Sequence, residues 1–260
     1  MNIIVCVKQV IDPEAPPASF KIDAVNNKAE MHGAPPVIDP YGEYAVEAAL
    51  RLKEAKGGRV TVISLGNNLL REVVKKPLAM GADELILLED EAFAKGDGWS
   101  TAYALAMAIK KRDDYNLILC GREASDTNAG QTGPALAEIL GLPCVVLARK
   151  IEAGDSNVKV ERVNSSGYDV TESSLPAVIT VSNEIGQPRY PTIKGIMAAK
   201  KIEPIIWKSA DIESGAIAQR TKVNKLFQPV HEAKCEFAVG ETPEEMAVNL
   251  AMKLRETKVL

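Results

Sequence analysis

The residues best suited to chemistry form one run, Gly121-Arg122-Glu123-Ala124-Ser125-Asp126-Thr127-Asn128-Ala129-Gly130-Gln131-Thr132-Gly133-Pro134. It leaves an apolar stretch and leads into a helical pattern. Gly130 and Gly133 permit close backbone approach, while Gln131 and Thr132 add an amide and a hydroxyl. Free backbone N–H groups at a helix N-terminus, with such side chains beside them, suit a phosphate. The run is not a Walker A loop, because no Gly-Lys-Ser/Thr follows, and it is not G-x-G-x-x-G. Taken alone it supports two readings, a phosphate cradle or a Gly-rich turn leading into a well-capped helix. A second turn, Lys95-Gly96-Asp97-Gly98-Trp99-Ser100-Thr101, also precedes a helix and carries two glycines and two hydroxyls. The same two readings hold for it. Two such turns on one sheet edge favour an anionic ligand more than either does alone.

Catalytic groups are scarce. The chain has two histidines, His32 and His231, with no nucleophile beside either in sequence, and no G-x-S-x-G elbow. Asp113-Asp114 and the Glu89–Glu91 pair lie on polar flanks and read as solvated. Cys6, Cys120, Cys144 and Cys235 form no C-x-x-C pair, so a metal site has few candidate ligands, and no catalytic residue is assigned. Reduced, buried cysteines in a cytoplasmic protein are expected. The net charge of −4 gives no basic face for nucleic acid. The longest apolar runs, such as Leu85–Leu88 and Leu117–Cys120, are too short to span a bilayer. The N-terminus reads as a strand that begins at once rather than as a signal peptide.

The elements that must position these turns alternate. Strands are expected at Asn2–Val7, Arg59–Leu65, Glu84–Leu88, Leu117–Cys120 and Cys144–Ala148. Helices are expected at Tyr41–Lys56, Leu69–Met80, Ser100–Lys111 (capped by Ser100 or Thr101) and Thr132–Leu140, with Pro134 in the first turn of the last. The strands are continuously rather than alternately apolar, so both faces are buried. The fold class is therefore α/β, a parallel sheet covered by helices with right-handed crossovers. Ligands of such sheets sit beyond the carboxyl ends of the strands, here after Val7, Leu65, Leu88 and Cys120. Hairpins are expected at Ser19–Met31, turning at Asn26-Asn27, and at Val158–Ser173, turning at Ser166-Gly167. The rhythm stops near Trp207. Glu244–Lys258 reads as a final helix, with Thr242 as N-cap, Pro243 at its first position and Glu245 completing a capping box. Residues 1–205 then form an α/β domain, and 206–260 an arm that packs on something else.

Several segments resemble the beta subunits of electron-transfer flavoproteins. Val5-Cys6-Val7-Lys8-Gln9-Val10-Ile11-Asp12 resembles their opening strand and loop. Asp39-Pro40-Tyr41-Gly42-Glu43-Tyr44-Ala45-Val46-Glu47-Ala48-Ala49 is similar to the start of their next helix. The Gly121–Gly133 run is similar to their adenine-nucleotide loop. Leu175-Pro176-Ala177-Val178-Ile179-Thr180-Val181 and Pro188-Arg189-Tyr190-Pro191-Thr192-Ile193-Lys194-Gly195-Ile196-Met197-Ala198-Ala199-Lys200-Lys201 resemble the family signature and partner-recognition loop. The matches run in order over residues 1 to 205. The chain departs from the respiratory pattern at Ala198, where many members carry lysine, and in its Pro13–Pro17 insertion.

The resemblance implies an adenine nucleotide alpha hydrolase-like domain and a C-terminal arm that embraces a larger alpha subunit, which holds most of the redox-active FAD. It implies a heterodimer that accepts electrons from an acyl-CoA-type dehydrogenase and passes them to a quinone oxidoreductase or similar acceptor, without direct membrane insertion and without being an enzyme itself. It implies AMP in this chain, or a second FAD, reduced by NADH, in flavin-bifurcating forms. The nucleotide pocket would use Val7, Lys8, Asp39, Leu65, Gly66, Gly121, Ala124, Asp126, Asn128, Ala129, Gly130, Gln131 and Thr132. Docking would use Arg189, Ile193 and Met197. Gly96–Thr101 motivates the FAD form, because a diphosphate and ribityl chain need more polar turns than AMP does. The loop from Asn128 to Gly133, close to the respiratory form, motivates AMP. A solitary nucleotide-sensing domain of the universal-stress type is a third reading, but it gives the arm no role.

Overall fold

The computed structural model describes residues 1–16, 19–31, 33, 35–94, 96–212, 219–228 and 235–259. His32, Lys95, His231 and Pro17 of the expected insertion lie outside the described residues. In chain order the elements begin with β1 (Asn2–Val7), β2 (Gln9–Ile11), β3 (Phe20–Asp23), β4 (Lys28–Met31), β5 (Pro36–Ile38) and α1 (Pro40–Lys56). They continue with β6 (Arg59–Gly66), α2 (Arg71–Val74), α3 (Lys76–Met80), β7 (Glu84–Glu89), α4 (Gly98–Arg112), β8 (Leu117–Gly121) and α5 (Thr132–Leu140). The remainder comprises β9 (Cys144–Ala153), β10 (Asn157–Asn164), β11 (Gly167–Ser174), β12 (Ala177–Val181), α6 (Ile193–Lys201), β13 (Ile205–Trp207) and α7 (Pro243–Glu256).

A nine-stranded sheet of order β11-β10-β9-β12-β8-β1-β6-β7-β13 forms the centre. From β9 to β13 the neighbours pair parallel, and β10 and β11 add an antiparallel edge. Every residue of β12 and the first four of β8 are buried, as strands covered on both faces must be. Successive residues feed two cores. Ile3, Val5, Leu117 and Leu119 pack with Ala45, Ala49 and Leu52 of α1, while Ile4, Cys6, Ile118 and Cys120 pack with Leu105 and Ile109 of α4 and Leu136 of α5. Each such Leu or Ile contributes about 1.5–3 kcal/mol by leaving water. Among the described residues no helix is long and apolar enough to cross a membrane.

The structure corrects several local expectations. The helix expected over Leu69–Met80 is two short ones, because Pro77 opens α3 and cannot continue the hydrogen-bond ladder from α2. Asp97, not Ser100 or Thr101, caps α4. Its carboxylate accepts the Ser100 N–H at 2.8 Å, and Ser100 Oγ accepts the Asp97 N–H at 2.8 Å, a reciprocal box. Strand β9 runs on to Ala153, where β10 extends the ladder. The second hairpin turns at Ser165-Ser166, since Asn164 pairs with Gly167. β13 joins β7 in the sheet, so a strand crosses the position that divides domain from arm in the sequence. Trp207 packs against the second core, with Lys111 Nζ 4.9 Å from its ring centroid. Cys6 and Cys120 are buried, whereas Cys144 and Cys235 are exposed; all four are free.

Candidate functional site

β1, β6 and β8 all end at one edge of the sheet, beneath the N-termini of α4 and α5. A cavity of about 370 Å³ opens there. Val7 and Lys8 line it from the end of β1, and Leu65 and Gly66 from β6. Gly121, Ala124, Ala129, Gly130, Gln131 and Thr132 line it from the loop between β8 and α5. Cys6 and Cys120, partners in register on β1 and β8, also line it. The topology alone brings these distant segments together.

The loop is shaped to present its backbone. Thr127 and Asn128 both donate N–H groups to Ala124 O, which folds the chain back. Asn128 (φ 48°) and Gly130 (φ 60°) are left-handed, and glycine takes that conformation without strain. Among the described residues, the N–H groups of Ala129, Gly130, Gln131, Thr132 and Gly133 find no protein acceptor, and the Gln131 side chain makes no cap bond to α5. Unused donors at a helix start, facing a cavity, fit a phosphate group. Gly121 fits for a steric reason. A Cβ there would lie 2.6 Å from Tyr41 Cβ, so only glycine lets β8 end against the first turn of α1.

Charged side chains around the cavity are mostly held by one another. Asp39 is buried at the cavity wall. Its Oδ1 accepts the Tyr41 N–H at 2.9 Å, and its Oδ2 accepts the Ser125 N–H and Oγ–H, both at 2.7 Å. It thus ties α1 to the loop and supports the site from behind. Lys8 Nζ lies 2.6 Å from Asp126 Oδ2, which places Asp126 at the lip rather than on the cavity wall. Asn128 likewise shapes the turn without lining the cavity. Arg122 stacks over Tyr41 at 5.1 Å and donates to Glu123 Oε1 at 2.8 Å.

The second turn joins the same cavity through Phe93, Gly96, Asp97, Gly98 and Thr101. A Cβ at Gly98 would lie 3.3 Å from Gln131 Oε1, so the two turns touch. Sequence reasoning marked this turn as friendly to anions but did not carry it into the site. Arg122, Glu123 and Leu105 were missed as wall residues; Arg122 and Glu123 lay within the quoted run, but Leu105 carried no local signal. Asp97 Oδ2 also accepts N–H groups from Arg220 at 2.7 Å and Thr221 at 2.8 Å, while the Arg220 guanidinium stacks 3.6 Å from the Trp99 ring centroid. Burial pushes the Asp97 carboxyl up, but hydrogen bonds from Ser100, Arg220 and Thr221 outweigh it and hold the carboxyl far below its ordinary range.

The segment quoted for docking is partly helical rather than a plain loop. Thr192 Oγ1 accepts the Gly195 N–H at 3.0 Å and starts α6. Ile193 is 83% exposed, Tyr190 93% and Met197 56%. Arg189 instead points back to α1. Its Nε lies 2.8 Å from Glu47 Oε2, its N–H donates to the same oxygen at 3.1 Å, and its guanidinium also reaches Glu54. Burial pushes the Glu47 carboxyl up, but hydrogen bonds from Arg189 and Arg51 outweigh it and hold the pKa down. Arg51 donates to Ile185 O at 2.8 Å and Gln187 O at 3.2 Å. One face of α1 therefore clamps residues 185–189. Among the described residues no group of three His, Cys, Asp or Glu is placed to hold a metal ion.

The family model for the electron transfer flavoprotein domain matches residues 28–212. The electron transfer flavoprotein subunit beta of Megasphaera elsdenii is 40% identical over 241 residues, covering 88% of each chain. That of Thermoanaerobacterium thermosaccharolyticum is 38% identical over 266 residues, covering 100% of each. The caffeyl-CoA reductase-Etf complex subunit CarD of Acetobacterium woodii is 36% identical, also over 100% of each.

Proposed function

The chain belongs to the electron transfer flavoprotein family, among its beta subunits, and from that premise we propose how it works. It pairs with an alpha subunit in the cytoplasm, retains an adenine nucleotide in the cavity under α4 and α5, and presents α6 to an acyl-CoA-type dehydrogenase. Electrons leave the complex for a quinone oxidoreductase or similar acceptor. The flavin, held mostly by the alpha subunit, supplies the redox chemistry when bound. Residues of this chain bind, orient and dock, and none is assigned a catalytic role. The observation that carries the reading is the row of unused N–H groups from Ala129 to Gly133 at the cavity wall. They would hold the phosphate of AMP, with Asp39 and Ser125 fixing the loop around it.

A second reading has its own support. The cavity continues past Gln131 to the second turn at Gly96–Thr101, and a dinucleotide such as FAD needs that extra length. The chain would then be the NADH-oxidising beta subunit of a bifurcating complex. The caffeyl-CoA reductase complex named for one relative makes acyl-CoA-type partners a natural choice.

Electron transfer itself is tested by mixing the purified heterodimer with a dehydrogenase reduced by its acyl-CoA substrate. Flavin bleaching that saturates with dehydrogenase supports the proposal. A heterodimer that stays oxidised with every such donor contradicts it. Bleaching by NADH alone would select the second reading.

A further inference from the structure

We propose that the groove between α3 and α6 receives an apolar side chain, flanked by carboxylates, from the electron-donating dehydrogenase. The inference rests on the docking reading above and adds the surface by which this chain accepts its partner, besides the one it inserts.

The groove measures about 590 Å³. Its walls are apolar: Val37 and Ile38 of β5, Val73 of α2, Ala79 of α3, and Ile196 and Ala199 of α6. The helices that bound it are pressed together. A Cβ at Gly195 would sit 2.3 Å from Ala79 O, so only glycine permits this approach. The crevice is therefore a fixed shape, which lowers the cost of filling it.

Two features select the occupant. The first is continuity. Pro191 and Ile196 line the groove and belong to the same segment as the exposed Tyr190, Ile193 and Met197, so the groove borders the segment assigned to docking. The second is charge. Arg71, Lys75, Lys76 and Lys200 ring the groove against one acid, Glu72. Glu89 occupies Arg71 and Glu43 occupies Lys76, but Lys75 meets Glu203 only at 3.8 Å, and Lys200 has no ion-pair partner among the described residues. An apolar hole with cations left over at its rim suits an apolar anchor set between carboxylates. The hole contributes affinity, and the rim contributes encounter rate and orientation.

The test uses the heterodimer and a dehydrogenase reduced by its acyl-CoA substrate, with the half-saturating dehydrogenase concentration and the limiting rate read separately. Lys200→Glu should raise half-saturation on the order of fivefold at low salt, and Glu72→Lys should lower it. Both shifts should shrink at about 0.5 M salt, while the limiting rate, melting temperature and cofactor content stay put. Val37→Trp, which fills the groove, should raise half-saturation at either salt. Should it also destabilise the fold, the two exposed charge variants carry the decision. Unchanged half-saturation in the groove variants, with a rise for Ile193→Ala, would overturn the groove and leave the docking reading standing. No change in any variant, Ile193→Ala included, would sink that reading too. Loss of the alpha subunit from Lys200→Glu or Val37→Trp would give the groove to that subunit instead. Palmitate that raises the melting temperature of the wild type but not of Val37→Trp would give it to a free amphiphile. Either result overturns the proposal.

Discussion

At the scale of single residues, the account turns on side chains that hold others in place. Glu47 is buried, and Arg189 is its main partner. Arg189→Ala leaves that carboxylate without its fork, and the loss should be about 2 kcal/mol of stability, below the range for a fully buried pair because Arg189 is a third exposed. Docking should weaken as well, because residues 185–189 lose their clamp, whereas the flavin spectrum should not change. Thermal melts and a dehydrogenase titration check both. The pH dependence has a definite sign. Glu47 has a lowered pKa in the fold, so its contribution is complete above the ordinary value of 4.5 and fades as pH falls through the lower folded value. The gap in melting temperature between wild type and Arg189→Ala should accordingly be widest near neutrality and close in acid. A gap independent of pH would place the effect elsewhere. Ile193→Ala should behave in the opposite way, costing about 1–3 kcal/mol of docking energy and almost no stability, since its side chain is exposed.

At the scale of elements, α4 begins where the arm returns. The Asp97 carboxylate caps the helix through Ser100 and holds Arg220 and Thr221. Asp97→Ala should cost about 1 kcal/mol for the cap alone. It should also speed nucleotide loss, because Asp97 stands in the cavity wall. Dissociation of a fluorescent adenine nucleotide would show this, and an unchanged off-rate would mean that the staple is only structural. Much of this level was legible in the sequence. Continuous apolar runs such as Leu117–Cys120 announce buried parallel strands, and the rule for carboxyl ends of such strands points at the cavity. Other features had no local sign. Asp97 reads as an ordinary loop acid until the fold brings Arg220 to it, 123 residues away. Asp39 gives no sign in sequence of its bond to Ser125, 86 residues away. Arg189 looks like a docking cation in sequence, and only the packing of α1 shows it turned inward. Pairings over such distances depend on topology, which local spacing does not encode.

At the scale of the whole molecule, the proposed pairing with an alpha subunit gives the arm its role. Phe237 is 82% exposed, and Met246, Val248, Leu250 and Met252 lie exposed on α7, which has no buried residue. Apolar surface of that extent marks an interface. The chain produced without its alpha subunit should aggregate or melt without cooperativity, and a monodisperse, cooperatively melting monomer would contradict the arm's assigned role. The most direct test of the central claim, that the cavity under α4 and α5 holds an adenine nucleotide, is a count of ligands released from the denatured heterodimer. Wild type and Gly130→Val are compared side by side. Gly130 has φ 60°, a conformation valine resists, at the row of free N–H groups. Wild type should release one FAD and one AMP for each heterodimer, and Gly130→Val should keep the FAD of the alpha subunit while losing most of the second adenine compound. A single adenine compound from the wild type, or two retained in full by Gly130→Val, would contradict it.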